Sequence, residues 1–136
     1  MKQISHFWFP ESAGATRDQL ARLEMTLGVV LPAEYRDLMT EQDGGTSQFS
    51  GIAIGEEYFP LPSFLSVDLV LEAHARRTYW GTPEGVVVIG TGAHDWLGLD
   101  YRAGTPPSVV YQEDEDAELE LVATTFLELL EHLSED

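Results

Sequence analysis

The chain has 136 residues, no cysteine, and 24 Asp and Glu against 7 Lys and Arg, which gives a formal net charge of −17 at pH 7. The absence of cysteine excludes disulfides and thiolate metal sites, and the acidic excess disfavours direct binding of nucleic acids or anionic membranes. A hydrophobic content of 43% argues against a disordered chain, and the length favours one domain over residues 1–136.

Neither a signal peptide nor a membrane span is predicted. Residues 1–10 contain no sustained apolar region and no cleavage site of the kind that signal peptides carry. No apolar run approaches the roughly 20 residues that a membrane-spanning helix needs. We therefore expect a cytoplasmic protein.

The first predicted element is a helix that begins after Thr16. Thr16 and Gln19 have the spacing of a capping box, in which each side chain satisfies the backbone N–H of the other. Gly28 is expected to end this helix, because glycine readily adopts the left-handed conformation found just past a helix. The buried stripe consists of leucines at helical spacing, Leu20, Leu23 and Leu27.

A second helix is predicted to have Pro32 in its first turn, where the missing N–H of proline costs nothing. Its apolar face is formed by Tyr35, Leu38 and Met39. Residues 43–45, Asp-Gly-Gly, predict a turn, because glycine takes positive φ without steric cost. The N-terminal third is therefore expected to be helical.

The next segment predicts a strand, an edge segment and a helix. Ile52 and Ile54 alternate with small residues, as in a strand, and the prolines in residues 58–62 confine that apolar segment to an edge or a loop. Ser66 is a good N-cap for a third helix over residues 67–78. Its inward side is formed by Val67, Val70, Leu71 and His74.

Three more strands are predicted in the following segment. Residues 86–90 form a continuous, mainly β-branched run that is typical of a strand covered on both faces. Alternating apolar residues in 97–101 predict a half-exposed strand, and residues 109–111 form a short strand after the breaker in 104–107.

The C-terminal part predicts an edge strand and a last helix. Leu119 and Leu121 alternate with Glu118 and Glu120, which favours a brief edge strand. Thr124 is the expected N-cap of the helix. Its inward residues are Phe126, Leu129, Leu130 and Leu133. Runs of strands bracketed by helices predict an α+β fold, with a mostly antiparallel sheet packed against helices from the N-terminal region and the C-terminus.

Three segments, in this order, resemble the SMI1/KNR4-like (SUKH) family. The first contains Leu27-Gly28, Leu31-Pro32, Glu34-Tyr35 and Gly44-Gly45; the second contains residues 86–90, Asp100-Tyr101 and residues 109–111; the third is residues 122–130. Together they cover about residues 16–133. The resemblance implies an α+β domain without a catalytic role in most members. Bacterial members are commonly immunity proteins that bind and block a cognate toxin, often a nuclease.

The strongest candidate for an enzyme or metal site combines His94, Asp95 and Asp100. A histidine with two carboxylates is able in principle to hold a divalent ion or to act as a general base. The spacing matches no recognised ligand pattern, and no nucleophile elbow or phosphate loop is present. We therefore predict no catalytic residue, no metal site and no cofactor.

The acidic cluster at residues 113–116 has two interpretations. It mimics a phosphate backbone that plugs the basic groove of a nuclease, or it is a solvated turn. Trp80 and Trp96, with Tyr58 and Phe59, are candidates for interface anchors, because aromatic side chains dominate binding hot spots, although such residues more often lie in the core. The predicted partner-binding residues lie in three loops: Asp43, Gln48, His94, Asp95, Trp96, Glu113, Asp114, Glu115 and Asp116.

The sequence therefore predicts a non-catalytic domain that binds and neutralises a cognate toxin through an acidic surface. A basic protein partner is expected, because the negative charge steers it in at rates that fall with salt. The alternative is a housekeeping interaction or assembly module without a toxin partner, in which the charge serves solubility alone. The oligomeric state stays open.

Overall fold

The computed structural model describes residues 6–135. Residues 1–5, which belong to the stretch in which no signal peptide is expected, and Asp136 lie outside the described residues. The helices are α1 (Arg17–Leu27), α2 (Ala33–Glu41), α3 (Val67–Ala75), α4 (Arg77–Trp80) and α5 (Phe126–Glu131). The strands are β1 (Gly51–Ile54), β2 (Glu57–Pro60), β3 (Ser63–Phe64), β4 (Val86–Thr91), β5 (Trp96–Asp100), β6 (Ser108–Gln112), β7 (Glu120–Ala123) and β8 (Leu133–Ser134).

The strands form two antiparallel sheets. The larger sheet has the order β3-β4-β5-β6-β7, and the smaller has the order β2-β1-β8. Helix α3 packs against α1 and β4, while α5 packs against α2, β6 and β7. This arrangement of helices around antiparallel sheets confirms the predicted α+β fold.

The five-stranded sheet has one face on the main core and a second face directed away from it. Along each strand, core residues such as Ile89, Leu97 and Val109 alternate with residues of the second face, such as Val88 and Trp96. We call this second face the outer face. The central valines of the outer face are nonetheless buried, so β4 is covered on both of its faces, as its β-branched run predicted.

The local helix signals are confirmed. Thr16 and Gln19 form the capping box, Gly28 ends α1 with φ of 70°, and the Ser66 hydroxyl accepts the Leu69 N–H at the start of α3. Pro32 differs slightly from the prediction, because it is the residue before α2 rather than part of its first turn.

The third helix is shorter than predicted. Helix α3 ends at Ala75, and after Arg76 the residues Arg77–Trp80 form the separate turn α4, which Gly81 ends with φ of 74°. The guanidinium of Arg77 donates to the His74 carbonyl at 2.7 Å, which satisfies one of the carbonyls that a helix end leaves unbonded. The direction of the chain therefore changes before Tyr79 and Trp80.

The predicted C-terminal edge strand is present as β7, and its residues do not alternate simply between the two faces. Strand β7 is the last strand of its sheet as predicted, but Leu121 is 58% exposed and Val122 is buried. A register shift opposite Val109 and Val110 inserts one extra residue into β7, so the simple alternation breaks there. Leu121 pairs with Val110 on the outer face.

Three further differences concern single positions. Thr125 is the N-cap of α5, whereas the N–H of Thr124 donates to the Glu128 carboxylate at 2.7 Å. Strand β5 is not half-exposed, because Gly98 is buried as well as its apolar neighbours. The two-residue strands β3 and β8 were not predicted. Within residues 6–135, no helix combines the length and the apolar character needed to cross a membrane.

Candidate partner-binding site

Three loops that contain the candidate residues meet at one end of the five-stranded sheet. Ser63, Thr91, Trp96 and Gln112 are successive cross-strand neighbours at this end. Residues 92–95 connect β4 to β5, and residues 113–119 connect β6 to β7. The loop of residues 42–48 adjoins this end through the pairing of Gly45 with Phe64 of β3.

The loop of residues 42–48 is tied to the fold by Gln42, which is only 3% exposed. The Gln42 Oε1 accepts the N–H of Glu11 at 3.0 Å, and its Nε2 donates to the carbonyl of Gly44 at 2.9 Å. Gly44 has φ of 82°, and a Cβ there would lie 2.6 Å from the Ser66 nitrogen. Only glycine therefore allows the loop to approach the start of α3 so closely.

Two of the predicted binding residues lie in this loop and make contacts within the protein. The Asp43 Oδ1 accepts the N–H of Val67 at 2.8 Å, at the start of α3. The Gln48 Nε2 donates to the carbonyl of Trp8 at 2.9 Å, which ties the loop to the N-terminal segment. Asp43 is half-buried, while Gln48 is exposed. Both side chains have a structural use that their loop position did not reveal.

The acidic turn, residues 113–116, is exposed throughout. The Asp114 Oδ1 accepts the N–H of Asp116 at 2.9 Å, which shapes the turn. The carboxylates of Glu113 and Glu115 make no hydrogen bond or ion pair to any residue in the described part of the chain. The turn thus presents uncompensated negative charge to solvent.

Trp96 connects the acidic turn to the sheet. Its Nε1 donates to Gln112 Oε1 at 2.7 Å, and Gln112 Nε2 donates to the carbonyl of Ala117 at 2.8 Å. A Cβ at Gly98 would lie 2.8 Å from the Cζ3 of Trp96, so glycine leaves room for the indole to lie against the outer face. The ring and the turn are therefore held as one unit.

Asp95 and His94 precede this tryptophan in the loop between β4 and β5. The hydroxyl of Tyr111 donates to Asp95 Oδ2 at 2.6 Å. Burial raises the pKa of Tyr111 above its ordinary value, and the contact with Asp95 raises it further. His94 is exposed. Asp95 therefore fixes the base of the loop, while His94 stands at its surface.

The structure does not bring His94, Asp95 and Asp100 together. The first two precede β5 and the third ends it, a separation on the order of 15 Å along an extended strand. Asp100 instead accepts from Arg102 at 2.8 and 3.0 Å, and this hydrogen bonding lowers the pKa of its carboxyl. Across residues 6–135, no group of three His, Asp or Glu side chains is arranged to hold a metal ion.

An aromatic cleft lies beside the acidic turn. Tyr79 and Trp80 of α4 and Trp96 of β5 line a cavity of about 540 Å³, whose rim includes Asp95 and Glu115. Tyr79 is 88% exposed and Trp80 is 51% exposed. Tyr79 was not among the residues predicted from the sequence, because its exposure depends on the break between α3 and α4.

The other two aromatic candidates lie elsewhere. Phe59 is buried and packs against Tyr111, so it is a core residue. Tyr58 is exposed but belongs to β2 of the smaller sheet. Of the four aromatic candidates, Trp80 and Trp96 are the two that line the aromatic cleft.

The cleft has no positive charge of its own. No Lys or Arg lines it. The ion pairs between described residues are Glu72 with Arg76, at 3.5 Å, and Asp100 with Arg102, at 2.8 Å. The site thus combines exposed aromatic rings with unpaired carboxylates, which is the composition of a protein interface for a basic partner.

The chain matches the model of a known protein family. The model of the SMI1 / KNR4 family (SUKH-1) matches residues 14–132, which is most of the chain. No curated protein matches the sequence.

Proposed function

Because the chain belongs to the SMI1 / KNR4 family (SUKH-1), we propose that it is a non-catalytic protein-binding domain, an immunity protein that neutralises a cognate bacterial toxin. The family match supports the protein-binding role. The acidic turn beside the aromatic cleft is the observation that supports a basic partner and a binding face at this end of the sheet.

The proposed binding face comprises His94, Asp95, Trp96 and the acidic turn, together with Tyr79 and Trp80. Buried aromatic anchors surrounded by polar groups are the usual composition of a binding hot spot. Asp43 and Gln48 contribute by holding the neighbouring loop in place, through their bonds to Val67 and Trp8. Their contribution to the proposed binding face is therefore indirect.

The charge of the chain favours fast capture of a basic toxin. Against a formal net charge of −17, residues 6–135 contain two ion pairs, so most carboxylates face solvent without a cation. Such a field raises the rate of encounter with a positively charged protein, and salt screens it. We propose that this encounter occurs in the cytoplasm and that the bound domain occludes the active site of the toxin or a surface next to it.

No chemical step is assigned to the domain itself. The groups that might have served as a base or metal ligands are separated along β5, and two of the three have partners within the fold: Asp95 with Tyr111, and Asp100 with Arg102. The proposed mechanism is therefore binding and steric occlusion.

The proposed function is tested with the reading frame next to this gene. The product of that frame is expressed with and without this chain, and complex formation is measured at low and high salt. We expect a basic toxin that forms a complex and loses its toxicity in the presence of this chain. Recovery of no basic partner at low salt contradicts the proposal, and recovery of a non-toxic assembly partner supports the housekeeping alternative instead.

A triple charge reversal locates the binding face. Replacing Glu113, Asp114 and Glu115 by Lys should lower the association rate with the toxin by about tenfold or more at low salt. The effect should shrink as salt is added. Because these side chains are exposed, the free energy of unfolding should change by less than about 0.5 kcal/mol.

The matched control reverses three exposed acids away from the cleft, Asp37, Glu41 and Glu56, and alters the net charge equally. It should slow association much less, because nearby charges dominate steering in salt. If both triple variants slow association equally, net charge alone is responsible and the acidic turn is not the binding face.

A further inference from the structure

We infer that the aromatic cleft binds an arginine side chain of the protein partner; this inference rests on the proposed function and makes its binding face specific. The cleft has a volume of about 540 Å³. Three aromatic side chains line it, Tyr79, Trp80 and Trp96. Exposed aromatic groups at this density mark a surface that another molecule covers.

The wall formed by Trp96 is rigid before any partner arrives. Its indole N–H is bonded to Gln112, and Gln112 is bonded in turn to Ala117 at the end of the acidic turn. Gly98 leaves the space in which the ring lies against the outer face. A fixed ring offers a stacking surface without the entropy loss of ordering it on binding.

The rim of the cleft provides the charge. Glu115 lines the cleft and makes no hydrogen bond or ion pair within residues 6–135. Asp95 has one carboxylate oxygen bonded to Tyr111, which orients the group. A planar guanidinium is able to stack on an aromatic ring while its N–H groups donate to carboxylates. Arginine is the side chain that uses both features at once.

Other occupants use the site less completely. An apolar side chain would cover the rings but would desolvate the carboxylates without pairing them, which costs free energy. A lysine would pair a carboxylate, but its ammonium group has no plane to stack on the rings. The nearby arginines of this chain are engaged on α3: Arg76 pairs with Glu72, and Arg77 donates to the His74 carbonyl.

The inference is tested without the natural partner, using blocked tripeptides. The peptides are Gly-Arg-Gly, the same peptide with lysine, and the same peptide with citrulline, which keeps the shape of arginine but lacks its charge. Binding is followed by the NMR signals of the indole N–H groups. Trp8 is an internal reference, because it is buried and its Nε1 is bonded to the Leu38 carbonyl at 3.0 Å.

We expect the arginine peptide to shift the signals of Trp80 and Trp96 and to leave that of Trp8 in place. The citrulline peptide should bind about tenfold more weakly, since a bond to a charged group contributes more than a neutral one. The affinity of the lysine peptide should lie between those of the arginine and citrulline peptides. Equal affinity for arginine and citrulline, or for arginine and lysine, would overturn the inference, and so would equal shifts at all three tryptophans.

Two substitutions at exposed positions locate the bound peptide. Trp80→Ala should weaken binding of the arginine peptide about fivefold, because the stacking contact is lost. Glu115→Gln should weaken its binding about threefold, because an exposed ion pair is lost. Glu56→Gln is the matched control, because Glu56 is exposed and does not line the cleft. An unchanged Trp8 signal verifies that each variant is folded.

The same variants separate this inference from the proposed function. If a toxin is captured equally well by Trp80→Ala, Glu115→Gln and the unmodified protein, the immunity function stands and the arginine cleft is wrong. If the arginine peptide binds as expected but the adjacent gene yields no toxin, the cleft stands and the immunity function is wrong.

Discussion

Two loops at the same end of the five-stranded sheet use similar residues in opposite ways. In the loop of residues 42–48, Gln42 and Asp43 bond to groups inside the fold. In the acidic turn, the carboxylates remain in solvent, and Glu113 and Glu115 have no partner within residues 6–135. The first loop stabilises the structure, whereas the second is free for a partner.

Glycine explains the difference between the two loops. Gly44 and Gly45 have positive φ, and the close approach of Gly44 to Ser66 brings the first loop against α3. Residues 113–119 contain no glycine, and the four residues of the acidic turn are exposed. A polar loop is therefore structural or functional according to how closely its backbone packs, rather than according to its polar residues.

Among the tests of this comparison, the largest effect is expected for Gln42→Ala. It leaves the N–H of Glu11 and the carbonyl of Gly44 without their partners in a mostly buried setting, so we expect a loss of about 2–3 kcal/mol in the free energy of unfolding. Urea unfolding gives the value. The control, Glu115→Ala, should change it by less than about 0.5 kcal/mol. Similar values for both variants would remove the distinction between the loops.

A smaller effect is expected at Asp43. Asp43→Ala removes the acceptor of the Val67 N–H at the start of α3 and should cost about 1–2 kcal/mol, the usual cost of losing a helix cap. Asp43→Asn keeps an acceptor oxygen and should cost less. Asp114→Ala is the matched control, since its bond to Asp116 is exposed. Equal losses at the two aspartates in urea unfolding would show that the first loop is no more integral than the turn.

The smallest effect concerns a carboxylate at the opposite end of β5. The hydrogen bonds from Arg102 lower the pKa of Asp100 below its ordinary value of 3.8, so the folded state binds this proton less readily than the unfolded state. The resulting stabilisation is present above about pH 4 and is lost as the pH falls through the lowered pKa. Because the Arg102 side chain is 49% exposed, solvent screens the pair and the loss is small.

Arg102→Gln tests this assignment. The variant should show a higher Asp100 pKa by NMR titration and a smaller loss of stability between about pH 4 and pH 2. The acidic turn lacks such a partner, so Glu115→Gln should leave the loss of stability between about pH 4 and pH 2 nearly unchanged. An Asp100 pKa that is the same with and without Arg102 would refute the role of the pair.

The sequence predicted best where the cause is local. The capping box of Thr16 and Gln19, the turn at Gly28 and the cap at Ser66 involve residues within a few positions of one another, and all three are confirmed. Strand β8 exists only because it pairs with β1, far away in the chain, so its own two residues carry no signal. The outward facing of Leu121 follows from its pairing with Val110 of β6, a register that the residues of β7 alone do not fix.

The same limit applies to the candidate site. The acidic turn was visible as a run of four carboxylic residues, and its exposure follows from their charge. The cleft was not visible, because Tyr79, Trp80 and Trp96 lie on elements whose relative positions depend on the whole fold. The sequence also did not show that Asp43 bonds within the fold, because its partner, the Val67 N–H, lies at the start of α3, far along the chain.

The position of β7 at the end of the five-stranded sheet has a consequence for solubility. An uncovered terminal strand with an exposed leucine is a template onto which another copy can add a strand, the first step of fibril growth. Glu120 precedes Leu121 in β7 and repels the same residue of an approaching copy. The negative charge that we propose attracts a basic partner therefore also keeps identical molecules apart.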